Sequence, residues 1–488
     1  MKNVPRCMST QHPDNVATPF FSDSDILARE AEVKEAFFVF SQLGCKEQMW
    51  DSEGKEVDNQ VVEKLLSRYQ DFFTKKPLGK EFFLTYRVPN PSVEKEQGKI
   101  LLETLHSIPR AFDVTKAAGI DGCPIFEVIL PMTTSHLELE RIKNYYEKVI
   151  IGQQDIPLGS EKISVKKWVG DFKPEKINII PLFEDFNSLI TCDTIVSKFL
   201  QNNDVEYQRV FLARSDPALN YGSVSAVLLS KIALTKLHNI QEKTGTPILP
   251  ILGVGGAPFR GNFTPNNVNN CTEEYPSVQT FTVQSSFKYD YAFRDVANAV
   301  DMLNHGHRRP PLEINEARAL TLAKKIQKVY EGQIKQMADL INGISVYVPN
   351  RRARKLHIGL FGYSRSLQGI KLPRAIKFCA AFYSIGIPPE LLGLSALTEK
   401  EFDELNDLYV KIDEDLRDAS KFIDKTNLGR MPSSIKKDIS KVLDLIDYEE
   451  MPEYREITTA VFDNFKKGKH TEVADGIKAA AWKRGFLG

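Results

Sequence analysis

Two acids in this chain close apolar runs. Glu184 ends Ile177-Asn178-Ile179-Ile180-Pro181-Leu182-Phe183, and Asp216 ends Arg209-Val210-Phe211-Leu212-Ala213-Arg214-Ser215. Carboxylates offered by neighbouring strand ends make an oxygen-rich site suited to Mg²⁺ or Mn²⁺. Taken singly, each also reads as a surface acid, and Asp216, ahead of a helical segment, as a cap. Two arginines stand at comparable places. Arg87 sits at the end of Phe82-Phe83-Leu84-Thr85-Tyr86-Arg87-Val88, and Arg260 lies in the loop Gly253-Val254-Gly255-Gly256-Ala257-Pro258-Phe259-Arg260-Gly261. A guanidinium fork suits a carboxylate, a phosphate or bicarbonate. Glycines let a backbone approach a ligand, and unpaired loop N–H groups favour anions. The loop is no dinucleotide fingerprint, because Pro258 and Phe259 fall where a helix should open. Together these residues predict metal-assisted chemistry on a small phosphorylated or carboxylated substrate.

Positioning such groups requires strands that end at one rim. Eight strands are predicted, at 47–51, 82–88, 125–130, 177–185, 209–216, 247–252, 280–286 and 356–365. Glu47-Gln48-Met49-Trp50-Asp51, the first of them, also ends on an acid. Helical spacing separates nearly all of them, over 94–108, 137–151, 187–202, 223–243, 289–304 and 313–343. Continuous apolar runs suit strands buried on both faces of a parallel sheet. The pattern predicts an α/β protein, a (β/α)8 (TIM-like) barrel with extra helices, its active site at the C-terminal strand ends. A doubly wound sheet is the alternative, without its fingerprint turn. We expect a single barrel domain over 1–488, with barrel strands at about 47–365 and a predominantly helical C-terminal region over 375–488. Residues 7–20 read as a polar, disordered terminus with an ordinary exposed His12. Arg351-Arg352-Ala353-Arg354-Lys355 reads as a solvated loop or a phosphate site.

Composition narrows the class. Lys+Arg and Asp+Glu both total 64 among 488 residues, so no excess charge points to nucleic acid or a membrane surface. The six cysteines show no CxxC pair and read as reduced thiols in a cytoplasmic protein, with neither disulfides nor a zinc site. The first residues lack an apolar core, so no signal peptide is expected, and no window is long and apolar enough to cross a membrane.

Several motifs, in order, carry a resemblance. They are Ser9-Thr10-Gln11-His12-Pro13-Asp14-Asn15, Pro181-Leu182-Phe183-Glu184, Ala213-Arg214-Ser215-Asp216-Pro217-Ala218, Gly255-Gly256-Ala257-Pro258-Phe259-Arg260-Gly261, Pro373-Arg374-Ala375-Ile376 and Pro388-Pro389-Glu390-Leu391-Leu392-Gly393. The chain thereby resembles the phosphoenolpyruvate carboxylases, in their short, archaeal-type branch. The resemblance implies a carbon–carbon lyase that joins phosphoenolpyruvate and bicarbonate into oxaloacetate and phosphate. Carboxyphosphate and a metal-bound pyruvate enolate would be its intermediates. It further implies Mg²⁺ (or Mn²⁺) on Glu184 and Asp216, and His12 as the essential histidine. Arg260 would govern carboxylation from a mobile loop. Arg87, Arg374 and Arg365 would bind the substrate phosphate, with Gly255, Gly256, Gln284 and Lys288 also near substrate. A cytoplasmic homotetramer without nucleic-acid or membrane partners is implied as well.

The chain departs from the larger enzymes of this family at three places. Leu252 and Val254 stand where their glycine loop carries a histidine and an arginine, and Leu219 stands for a lysine. Their C-terminal asparagine has no match in Lys483-Arg484-Gly485-Phe486-Leu487-Gly488. The missing positive groups are expected to weaken anion binding unless Arg214 or Lys288 substitutes for them.

Overall fold

The computed structural model describes residues 4–53, 58–353, 366–367 and 369–488. Eight parallel strands close into a barrel. They are β1 (Cys7–Ser9), β2 (Glu47–Asp51), β3 (Phe83–Arg87), β4 (Glu127–Leu130), β5 (Asn178–Phe183), β6 (Gln208–Ala213), β7 (Ile248–Gly253) and β8 (Thr280–Val283). Each pairs with its neighbours in sequence, and β8 returns to β1 through Cys7↔Phe281, Met8↔Thr282 and Ser9↔Val283.

The first strand corrects the sequence reading. Residues 7–9 are no disordered terminus but the strand that closes the barrel, and Ser9, Thr10, Gln11, Asp14 and Asn15 are buried. The strand expected over 356–365 lies outside the described residues. The barrel closes without it.

Side chains alternate along each strand, so every second residue enters the barrel. At the lower end, Glu47 of β2, Glu127 of β4, Arg209 of β6 and Thr280 of β8 form one layer from alternate strands. Arg209 holds it together, 2.7 Å from both Glu47 Oε1 and Glu127 Oε2, and donates to Thr280 Oγ1 at 3.2 Å. Burying these charges is tolerable only because every one of them is paired. Above lies an apolar plug of Met8, Met49, Ile129, Ile180, Leu182, Phe211, Ala213 and Ile251. Continued upward, the same alternation brings Asp51, Arg87 and Glu184 into the mouth.

Helices surround the strands. Ser223–Thr244 is buried on nearly every side, packed beneath the long helix Glu316–Ser345. The C-terminal helices do more than present solvated faces. Their last turn leads the chain back to the rim, where the Leu487 N–H donates to the Asp14 carbonyl at 2.8 Å.

Candidate active site at the barrel mouth

Glu184 follows β5 directly, in inward phase with Ile180 and Leu182, and its Oε2 accepts the Met132 N–H at 2.8 Å. Asp216 stands in the first turn of the helix Ser215–Tyr221, directly after the adjacent strand β6. Both acids are half-buried. Arg87, the last residue of β3, is gripped by Asp51 through two bonds of 2.9 Å, with Glu53 also 2.9 Å away. Burial works against its charge, but Asp51 and Glu53, with a contribution from Glu184, hold the guanidinium firmly protonated. Arg374, exposed just before the helix Ala375–Ser384, shares this field: both it and Arg87 act electrostatically on Glu94. Burial first, and then the Glu53 charge, push the Glu94 carboxyl up to about 7. Arg365 lies outside the described residues.

His12 is half-buried on the segment that leaves β1. Its Nδ1 lies 2.8 Å from Thr10 Oγ1, and its carbonyl accepts N–H bonds from Asp14 and Ser285. Lys288 braces this segment through buried contacts. Its Nζ donates to Ser9 Oγ, the Thr10 carbonyl and Glu35 Oε1 at 2.7–3.0 Å, and it is fully buried. Burial lowers the ammonium's pKa, which Glu35 partly offsets. Glu35 also takes Arg352, so the basic cluster begins as an internal brace; Arg354 and Lys355 lie outside the described residues.

The glycine loop is packed and internally bonded, so the loop N–H groups expected to be unpaired have acceptors. The Val254 N–H reaches Thr282 Oγ1 (2.9 Å), that of Gly255 the Arg260 carbonyl (2.9 Å) and that of Gly256 Asp14 Oδ2 (3.4 Å). Arg260 is 1% exposed. Its Nε donates to Ser215 Oγ (3.0 Å), Nη1 to Asp14 Oδ2 (3.0 Å) and the Gly488 oxygen (2.8 Å), and Nη2 to Gln284 Oε1 (2.5 Å). Here the glycines make room for the protein's own arginine. A Cβ on Gly255 would lie 2.8 Å from Arg260 Nη1, and one on Gly256 2.7 Å from Ser286 Oγ.

Among the described residues, the two cations named as substitutes for the departures at Leu219 and Val254 have other partners. Leu219 and Val254 are buried in the apolar core, Arg214 is turned onto Ser223 Oγ at 3.2 Å, and Lys288 is committed to Glu35. The sequence marks Asp51 as an acid ending a strand but assigns no role to it, to Glu53 or to Thr10. The polar tripeptide around Thr10 and the acid ending β2 were the available signals.

Among the described residues no three or more His, Cys, Asp or Glu form a ready-made metal cluster. Two hard carboxylates at adjacent strand ends nonetheless fit a divalent cation that completes its shell with water and substrate oxygens, as Mg²⁺ commonly does.

A closed parallel barrel with acids, arginines and a histidine at its C-terminal rim defines a (β/α)8 enzyme built for anionic substrates. The family model for phosphoenolpyruvate carboxylase matches residues 4–488. Curated phosphoenolpyruvate carboxylases are similar along the whole chain. That of Methanospirillum hungatei is 49% identical, covering 99% of this chain and 100% of its own. Those of Methanothermobacter thermautotrophicus (46%) and Pyrococcus abyssi (49%) also cover 99% of this chain and 100% of their own. The chain belongs to the phosphoenolpyruvate carboxylase family. Among solved structures, Haloferax volcanii malate synthase is similar at a TM-score of 0.37 and 9% identity, over 70% of this chain and 90% of that one.

Proposed function

We propose that this chain carboxylates phosphoenolpyruvate with bicarbonate, giving oxaloacetate and phosphate, at the mouth described above. The observation that carries the reading is that Glu184, Asp216, Arg87 and His12 each end or closely follow a strand at the same end of a barrel in a chain that matches this family over residues 4–488. Glu184 and Asp216 would hold Mg²⁺ or Mn²⁺, which supplies Lewis acidity toward the substrate's oxygens.

The chemical difficulty is to bring two anions together. Arg87 and Arg374, with Arg365, offset the charge of the phosphoryl group and orient it. A bicarbonate oxygen then attacks phosphorus, and the bond from phosphorus to the enol oxygen breaks. Carboxyphosphate and the enolate of pyruvate result. His12 takes the carboxyphosphate proton, so that the C–O bond breaks into CO₂ and phosphate beside the enolate. The enolate methylene carbon attacks CO₂ to form oxaloacetate. Arg260 and its glycine loop keep water from protonating the enolate, which would otherwise leave as pyruvate.

Oxygen-18 tests the order of steps. Bicarbonate labelled in its oxygens should deliver one label to each phosphate released. Unlabelled phosphate would mean that water, not bicarbonate, attacks phosphorus. The assembly proposed with this function is a homotetramer in the cytoplasm, checked by a sedimentation mass of four chains.

A further inference from the structure

Asp51 and Arg87 are the last residues of β2 and β3 and are directly paired across the parallel ladder. Asp51 follows Glu47 and Met49 on the inward face, as Arg87 follows Thr85, so the acid and the base meet inside the mouth. Asp51 Oδ1 accepts from Arg87 Nε and Oδ2 from Nη2, each at 2.9 Å, and Glu53 Oε2 is 2.9 Å from the same Nη2. Of the five guanidinium hydrogens, the pair on Nη1 belongs to no bond in this clamp. Arg209 lower in the barrel makes a useful contrast. Both its Nη groups are taken by Glu47, Glu127 and Thr280, and it is 1% exposed, whereas the Arg87 side chain keeps 11% of its surface.

Asp51 reaches the histidine segment as well. Its N–H donates to Gln11 Oε1 at 3.0 Å, one residue before His12. Its Oδ1 accepts the Glu53 N–H at 3.1 Å, which ties the second carboxylate to the first. The Ser52 N–H donates to the Arg87 carbonyl at 2.9 Å, so backbone and side chains lock the same two strand ends.

We infer that Asp51 is a positioning residue of the reaction, with Glu53 as its helper. It fixes the Arg87 fork so that Nη1 faces the phosphoryl group of the substrate, in fixed relation to the His12 segment. An arginine held this way has already given up its side-chain freedom during folding, so binding the anion does not have to supply that entropy. The inference rests on the reading of Arg87 as a phosphate-binding arginine.

The test compares Asp51→Asn, Asp51→Glu, Glu53→Gln and Arg87→Ala, each alone, and Asp51→Asn with Arg87→Ala. The readouts are kcat, KM for phosphoenolpyruvate, the Mg²⁺ activation constant and the melting temperature. Asp51→Asn should raise KM about tenfold, the effect of losing one charge-assisted hydrogen bond, with kcat and Mg²⁺ activation little changed. Asp51→Glu should recover much of that loss. On the Arg87→Ala background, Asp51→Asn should add almost nothing, because its partner is gone. Unchanged KM in Asp51→Asn, with Arg87→Ala still impaired, overturns the positioning role alone. Unchanged KM in Arg87→Ala overturns the underlying reading of that arginine. Should Asp51→Asn fail to fold, Glu53→Gln decides: a severalfold rise in KM supports the clamp, and an unmoved KM overturns it.

Discussion

Arg260 and Asp14 meet 3.0 Å apart inside the protein, with neither side chain more than 2% exposed. Asp14 belongs to the histidine segment and Arg260 to the glycine loop, so one buried ion pair joins two parts of the site. Asp14 also accepts the N–H groups of Ser286 (2.8 Å) and Gly256 (3.4 Å). A carboxylate so placed is satisfied only while the arginine stays.

Removing the arginine should therefore cost both stability and coupling. Arg260→Ala leaves Asp14 buried and uncompensated, a loss of about 3–5 kcal/mol, readable as a lowered denaturant midpoint. Arg260→Lys keeps a charge but not the four-way fork, and should release phosphate with pyruvate in place of oxaloacetate. Stoichiometric oxaloacetate from the lysine variant would remove Arg260 from carboxylation.

Glu184→Gln keeps an acceptor for the Met132 N–H, so the fold should persist. It removes one of two candidate metal carboxylates. The Mg²⁺ concentration for half-maximal activity should rise about tenfold or more, the scale of one charged ligand lost. An unmoved activation curve would take Glu184 out of the metal site.

Thr10→Val deletes the hydroxyl 2.8 Å from His12 Nδ1 while nearly preserving shape. Which ring nitrogen carries the proton depends on that bond. The kcat should fall roughly tenfold, within the range of a general base out of place, with KM for phosphoenolpyruvate little changed. Thr10→Ser should restore it. Full activity in the valine variant would leave the hydroxyl without a role.

Glu390 gives a pH dependence whose sign can be worked out. It is 3% exposed, and burial pushes its carboxyl from 4.5 up to about 7, opposed in part by the Tyr383 hydroxyl that donates to it at 2.6 Å. The folded state thus holds a proton that the unfolded state has lost. This group's contribution is largest below about pH 4.5 and is lost as pH rises toward 7, on the order of 3 kcal/mol over that window. Asp415, raised to about 7 by burial, acts in the same direction. Glu390→Gln should flatten part of the fall in melting temperature between pH 5 and 8. An unchanged slope would mean that Glu390 is ionised in the folded state.

The barrel was largely legible because seven of its strands are apolar runs long enough to show a pattern. β1 was not. Three residues, Cys7, Met8 and Ser9, carry no period, and polar neighbours disguise a strand whose burial comes from closing the barrel. The places of Glu184 and Arg87 at strand ends were legible because each ends or directly follows a run. The partner of Lys288 was not legible: its sequence neighbours give no hint that its ammonium bonds Glu35. The clamp on Arg87 could not be read either, since the pairing of Asp51 with Arg87 is a register between strands. That information appears only when β2 and β3 lie side by side.

The central claim is carboxylation at this mouth. Purified protein would be given phosphoenolpyruvate and Mg²⁺, with bicarbonate present or removed, and oxaloacetate followed through NADH oxidation by malate dehydrogenase. Oxaloacetate formed in step with phosphate, and only with bicarbonate, is the predicted result. Phosphate and pyruvate without oxaloacetate, or no turnover despite measurable binding of phosphoenolpyruvate, would contradict it.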